Sequence, residues 1–320
     1  MNKFIALLAL AALTSPSFAA EIFPSRPIRM VVPYAPGGNV DISARIIATP
    51  LAEALGQTVV VDNRPGGGGN LGAALVAKST ADGHTLLVGS SGPLSVNPVI
   101  FKKLPYDSLK DFAPVSTVQA VPLVVLASPR SGIQSIADLV AAAKSRPGKL
   151  TIASAGAGTT NHFAIELFAS MAGVRLLHVP YKGSGPALSE LLGGQVETMI
   201  DQLAASIGYV KDGRLRVLAV TTGRRAAALP AVPTLDELGY KGYRASTLLG
   251  LLAPAGTPRP VVAKLNAAVR RVMDNPAVAE RFRGLGANPG ASSPEEFSRR
   301  ISDELQQWQA LVKKLNLKFE

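Results

Sequence analysis

The chain of 320 residues contains no cysteine, which removes disulfides, thiolate metal sites and cysteine nucleophiles in one step. Its 33 Lys and Arg against 22 Asp and Glu give a formal charge of +11, but the basic residues come as scattered pairs (Lys102-Lys103, Arg224-Arg225, Arg270-Arg271, Lys313-Lys314) without interleaved aromatics. Nucleic acid is therefore not the expected partner, and the excess reads as a solvated basic surface with mild attraction for anions.

Residues 1–19 read as a cleavable secretory signal. Lys3 supplies the positive start, Phe4 to Leu13 the apolar middle, and Ser17-Phe18-Ala19 the small-x-small site. No Cys follows to be lipidated, and nothing downstream reaches the ~18 to 20 apolar residues of a membrane span. The mature chain is expected to be secreted and soluble. Roughly 300 residues remain, enough for two domains of ordinary size.

Ile28, Met30, Val31 and Val32 form a short β-prone run that reads as a buried strand. Pro33 and Pro36 stop it, Gly37-Gly38 lets the backbone turn, and Asp41 opens a helix with Ile42, Ile46 and Ile47 on its apolar face. Strand, glycine turn and helix start leave unpaired N–H groups around a concave point, which attracts an anion without any charged side chain. The same three parts describe an ordinary strand-to-helix turn, so this stretch alone decides nothing. The helix runs to Leu55 before Gly56. Thr58 to Val61 is a second strand, Asn70 to Lys78 a small-residue helix and Thr85 to Val88 a third strand. This β-α-β-α-β opening is the signature of a parallel sheet covered by helices. Ser90-Ser91-Gly92 then lies at a carboxyl strand end, where such sheets bind ligands.

Residues 93 to 114 read as loop with short helical pieces, and Val115 to Ala127 as an extended stretch broken by Pro122. Ser135 to Ser145 is a helix and Leu150 to Ala153 a strand; the small-residue turn Ser154 to His162 then leads into the helix Phe163 to Met171. The opening pattern has repeated, which suggests two similar α/β domains facing one cleft. Leu176 to Val179 is a strand ending in Pro180-Tyr181-Lys182-Gly183, Gly185 to Leu192 a helix, and Thr198 to Ile200 a strand ending at Asp201. Val217 to Val220 and Leu248 to Ala253 are extended, and Pro260 to Met273 is an amphipathic helix. Ser293-Pro294-Glu295-Glu296 is a capping box that opens the last helix, in which Trp308 reads as a packing residue.

Catalytic constellations are weak. Gly67, Gly69 and Gly72 fit G-x-G-x-x-G, but Asn63-Arg64-Pro65 separates them from the strand and no acid follows about 20 positions on. No G-x-S-x-G and no H-E-x-x-H occurs, and the three histidines are dispersed, so neither a serine hydrolase nor a zinc site is expected. No catalytic residue, cofactor or metal is assigned. His84 and His178 read as structural; His162 alone adjoins a candidate site. The small residues and hydroxyls of 154–162 suit a carboxylate, sulfate or phosphate, or else form a tight turn with a Thr or Asn N-cap.

Taken together, Pro24-Ser25-Arg26-Pro27-Ile28, Val32-Pro33-Tyr34-Ala35-Pro36-Gly37-Gly38 and Asp41 resemble the opening of the Bug (TctC-type) extracytoplasmic solute receptors of tripartite tricarboxylate transporter systems. The resemblance continues through Asn63-Arg64-Pro65-Gly66, Ala81-Asp82-Gly83-His84-Thr85-Leu86-Leu87 and Leu104-Pro105-Tyr106-Asp107. It returns at Ser154 to His162, Val179-Pro180-Tyr181-Lys182-Gly183, Leu218-Ala219-Val220-Thr221 and Ala253-Pro254-Ala255-Gly256-Thr257-Pro258. These motifs span essentially the whole chain after the signal.

The resemblance implies an α/β, two-domain Venus-flytrap periplasmic binding protein, each domain a mainly parallel β-sheet flanked by helices. Domain 1 would be 20–122 plus 247–320 and domain 2 would be 123–246, with crossings near Val121 to Val125 and Ala245 to Leu249. It implies a small carboxylate held by backbone amides, hydroxyls and water, with Tyr34, Ala35, Gly37 and Gly38 on one side of the cleft. Across it stand Ala155, Gly158, Thr159, Thr160 and His162, with Ser90, Tyr181 and Asp201 as further candidates at strand ends. Asp41 is read as a loop organiser, its carboxylate accepting N–H groups near a helix start. Asp201 would meet a ligand ammonium or hydroxyl, or cap a neighbouring helix. Leu248-Leu249 stands where many members have an aromatic pair, and Asn39-Val40 where a small or Thr-containing pair is common. The implied partners are the acid and, transiently, transporter membrane subunits, with the receptor a monomer. Two alternatives stay open: a ligand-dependent partner of a membrane sensor, and a secreted hydrolase.

Overall fold

The computed structural model describes residues 23–317; the signal-peptide reading of 1–19 lies outside them. Strand β1 (Ile28–Val32) is apolar almost throughout because both of its faces are covered. It leads into helix α1 (Asn39–Leu55), which ends at Gly56 in the left-handed conformation (φ 69°). Strand β2 (Val59–Asn63), a 3₁₀ turn at Gly67–Gly69, helix α2 (Asn70–Ala77) and strand β3 (Thr85–Ser90) follow. Strands β2 and β3 pair in parallel with β1 on either side. Helix α1 begins two residues before Asp41, because Gly38 already takes the extended N-cap conformation and Asp41 sits in the first turn.

A π-helical turn (Gly92–Val96) and the short α3 (Asn97–Ile100) occupy the stretch read as loop with helical pieces. Strand β4 (Phe112–Ala127) then runs through Pro122 without a break. The expectation of an interruption fails because Pro122 falls where the strand exchanges partners. Residues 112–122 of β4 pair with β9 (Ser246–Pro254), while 123–127 pair with β7 (Thr198–Gln202) and β8 (Arg216–Val220). A proline is tolerated where the ladder changes neighbours.

Between those partners come helix α4 (Ile136–Ser145), strand β5 (Thr151–Ser154), helix α5 (Thr160–Ala172), strand β6 (Leu177–Pro180) and helix α6 (Ser184–Gly193). Helix α7 (Leu203–Lys211) follows β7 at once, without the loop residues that usually announce a helix. Helices α8 (Arg259–Met273) and α9 (Pro276–Gly284), the short β10 (Asn288–Pro289) and helix α10 (Pro294–Leu315) complete the order. Helix α9 had a legible start, since the Asn275 side chain accepts the Ala277 N–H ahead of Pro276.

The strand order β2-β1-β3-β9-β4-β7-β5-β6 places two parallel blocks, β2-β1-β3 and β6-β5-β7, at the two ends of a mixed sheet. Antiparallel β9 and β4 join them. Helix α10 clamps the middle. Ser293 caps it by accepting the Glu296 N–H, Phe297 and Ile301 pack with Phe112 and Leu252, and Trp308 lies against Phe163 of α5 with ring centres 4.5 Å apart. Half-buried Glu304 of the same helix accepts hydrogen bonds from the Ser91 and Ser95 hydroxyls, and desolvation of its carboxyl pushes it up to about 7.

Candidate functional site

The carboxyl ends of β1, β3, β5 and β7 and the starts of three helices meet at one cavity. On the first wall the chain leaves β1 through Tyr34, whose hydroxyl lies 3.2 Å from Ser90 Oγ and donates to the Gly68 carbonyl at 3.3 Å. Burial pushes this phenol up to about 12, so it stays a neutral donor and acceptor. The turn is held from behind by buried Asp41, which accepts from the Gly37 N–H (3.0 Å), from Asn63 Nδ2 (3.0 Å) and from Arg45 Nε (3.0 and 3.1 Å). Burial alone would raise this carboxyl, but the hydrogen bonds from Arg45, Gly37 and Asn63 prevail and hold it below its ordinary range. With the turn fixed, Gly38, Asn39 and Val40 at the start of α1 face the cavity.

The second wall is built differently. Thr159 caps α5, its Oγ1 accepting the His162 N–H (3.3 Å) and donating to the Gly156 carbonyl (2.7 Å). The Gly158 N–H donates to His162 Nδ1 at 3.3 Å, and the His162 ring stacks on His178 at 4.2 Å. Burial depresses His162 to about 3 and His178 to about 4, so both rings are neutral and Nδ1 of His162 keeps the lone pair that Gly158 needs. Gly156 (φ 138°) and Gly158 (φ 84°) take backbone conformations that favour glycine.

A third helix start, that of α6, brings Ser184 to the cavity beside Asn161 and Gln202. Behind them Asp201 is fully buried, accepting from Ser184 Oγ at 2.6 Å and Asn161 Nδ2 at 2.9 Å. Burial outweighs these bonds and pushes its carboxyl up to about 7. Gln202 Nε2 donates to Asn161 Oδ1 (2.9 Å) and to Thr247 Oγ1 (3.3 Å), tying this wall to β9.

No Lys, Arg, Asp or Glu lines the cavity. Its polar character comes from hydroxyls, carboxamides and the positive ends of helices of 17, 13 and 10 residues, an arrangement that stabilises a small anion. The space left between the walls is about 20 Å³, room for roughly one water molecule. The walls are shut. The Ala35 N–H donates to the Lys182 carbonyl at 2.9 Å, and a Cβ on Gly185 or Gly68 would collide with the carbonyl of Pro36 or Ala157 respectively.

The profile of the tripartite tricarboxylate transporter family receptor, TctC, matches residues 43–317. The chain belongs to the TctC family. Its relatives include a Pseudomonas protein of the tcbD-tcbE intergenic region, 43% identical over 97% of this chain and 93% of that one. The Bordetella pertussis protein BugT is 40% identical over 99% and 96%. Among solved structures, periplasmic binding protein BugD superposes with a TM-score of 0.89 at 36% identity, covering 92% of this chain and 99% of its own. An R. palustris protein with adipate gives 0.89 at 37% identity over 92% and 99%. MatC from Rhodopseudomonas palustris with bound malate gives 0.88 at 35% identity over 91% and 100%. The chain is thus an α/β solute-binding receptor of the TctC type, with the two-domain periplasmic binding protein fold.

In this TctC receptor six of the sequence candidates line the cavity: Tyr34, Gly38, Ser90, Ala155, Thr159 and Thr160. Ala35 and Gly37 stand at its edge with their N–H groups committed to Lys182 and Asp41. Gly158, His162, Tyr181 and Asp201 are not in the lining. Gly158 and His162 are bonded to each other, Asp201 sits behind Ser184 and Asn161, and the Tyr181 N–H is bound to the Ser154 carbonyl. Sequence reasoning missed Asn39, Val40, Asn161, Ser184 and Gln202, which do line the cavity. Gln202 follows from the burial of Asp201. Successive residues of a strand face opposite ways, so the neighbour of an inward-buried Asp201 turns to the cleft. A Ser154 Oγ–His178 Nε2 contact of 2.6 Å has the form of a nucleophile and base, but Ser154 is fully buried and lies outside the lining. Among the described residues no His, Asp and Glu cluster suits a metal, and no helix is long and apolar enough to cross a membrane.

Proposed function

We propose that this receptor captures a small organic acid in the cavity and hands it to the membrane subunits of a tripartite tricarboxylate-type transporter. In this reading it acts as a periplasmic monomer after loss of residues 1–19. Residues 20–122 plus 247–320 form one closing half and residues 123–246 the other. The observation that carries the reading is a cavity without cations beneath the starts of α1, α5 and α6. Backbone dipoles and hydroxyls hold a carboxylate there with no ion pair to desolvate. Relatives bound to malate and adipate make a dicarboxylate the first class to try. Acid binding favours a form in which the walls close around the acid over an open one, and the difference between them is what a membrane partner senses.

The test is a thermal-shift screen of the mature chain, refolded to strip any bound solute, against dicarboxylates, tricarboxylates, amino acids, aromatic acids, sulfate and phosphate. An acid at 100 times its dissociation constant stabilises the fold by about 2.7 kcal/mol. A shift with one class of acids is expected. No shift with any acid after refolding overturns the reading.

A further inference from the structure

A second concave site lies apart from the cavity. It is an open groove of about 900 Å³ floored near Pro122, with residues 222–228 and Arg244 on one side and Arg283 and residues 286–289 on the other. Its charged lining is all of one sign: Arg224, Arg225, Arg244 and Arg283 are exposed there and no carboxylate joins them. Arg225 is held by Glu237 at 2.9 Å, and Arg283 stands 3.5 Å from Glu280 on its own helix. Arg224 and Arg244 make no ion pair among the described residues; Arg244 only adds to the field that lowers Asp236. Exposed pairs of this kind are worth little, so the guanidinium groups are available to a stronger acceptor.

We propose that this groove docks an acidic segment of a partner protein. Naming that partner as a transporter membrane subunit rests on the transport reading above; the chemistry of the groove does not. Arginine forks bind carboxylates in pairs and are favoured anchors at protein interfaces. A single small acid does not fill about 900 Å³ or reach arginines drawn from three separate stretches of chain. A membrane surface is flat, whereas these arginines border a depression lined by Ala226, Ala228 and Ala287. The groove also borders the cleft machinery. Gly286 packs on Leu203, the residue after the cavity-lining Gln202, and the two sides of the groove fall in the two proposed halves. A segment seated there therefore distinguishes shut from open.

The test uses the mature chain and a fluorescent peptide of alternating Glu and Gly, with a Gln and Gly twin as control, followed by anisotropy at low salt. The acidic peptide binds, the twin does not, and the double variant R224E/R244E weakens binding at least about tenfold. The variant K102E/K103E changes the net charge equally at another exposed pair and leaves binding within about twofold. Equal losses in the two variants would reduce the effect to general basicity and overturn the proposal. Complete displacement by inorganic phosphate would make the groove a small-anion pocket instead. Binding to anionic lipid vesicles, lost in R224E/R244E while the peptide fails to bind, would make it a membrane contact. The acid-induced thermal shift is recorded on the same variants. Its absence in the unmodified chain sinks the transport reading, and its persistence in R224E/R244E separates groove from cavity.

Discussion

The two walls of the cavity perform one task by opposite means. Both fix a strand-to-helix turn so that a helix start faces the cavity. The 34–41 turn is held by an ionised carboxylate with a guanidinium behind it, and the 154–162 turn by a stack of neutral imidazoles. The geometry presented to the cavity is therefore indifferent to what supports it from behind. The responses of the two supports to acid and to substitution are not.

The largest effect is expected at the ionic wall. Asp41→Ala removes the acceptor of three donors, and it should lower the unfolding free energy by about 2–4 kcal/mol and abolish acid binding. Urea unfolding with a parallel thermal-shift titration measures both, and retained affinity would show that the turn is held by other means. Gly185→Ala breaks the comparison from the other side, since it leaves both supports intact and obstructs only the contact between the walls. Alanine suits a helix better than glycine by up to about 1 kcal/mol. Melting temperature should thus hold or rise while affinity falls at least about tenfold.

Acidification sharpens the contrast. The histidines have folded values below the ordinary 6.5. Between those values the unfolded chain binds more protons, and stability contributed by the imidazole wall falls as pH drops from 6.5 towards about 4 and 3. Asp41 is depressed below 3.8, so its contribution is complete above that value and is lost only as pH falls further. Asp201 and Glu304, raised to about 7, slope the opposite way, losing stability as pH rises from their unfolded values towards 7. His162→Phe keeps the stack and removes one titrating ring. The difference in melting temperature between it and the unmodified protein should change between pH 7 and 5, and a constant difference refutes the assignment. The smallest effect belongs to Thr159→Val, which removes the α5 cap for about 1 kcal/mol and weakens acid binding with the fold retained.

Much of this was legible in the residues. Proline and glycine placed the turns after β1 and β5, and apolar runs placed the strands, because local backbone preference and burial agree there. The lining was less legible. Glycine and threonine announced which loops matter, but amides such as those of Gly37 and Gly158 are consumed by Asp41 and His162, partners that only the folded chain brings close. Gln202 and Ser184 reach the cavity through the pleat and a helix start that no motif marks. Pro122 misled because its backbone role depends on which strand lies alongside.

Trp308 is the sole tryptophan of the chain, and it rests on Phe163, four residues beyond the Thr159 cap at the cavity. In the proposed capture of an acid, a shift of α5 relative to α10 slides one ring over the other. The C-terminal helix thus turns the molecule into its own optical gauge, readable as a change in emission at a single excitation wavelength without any attached dye.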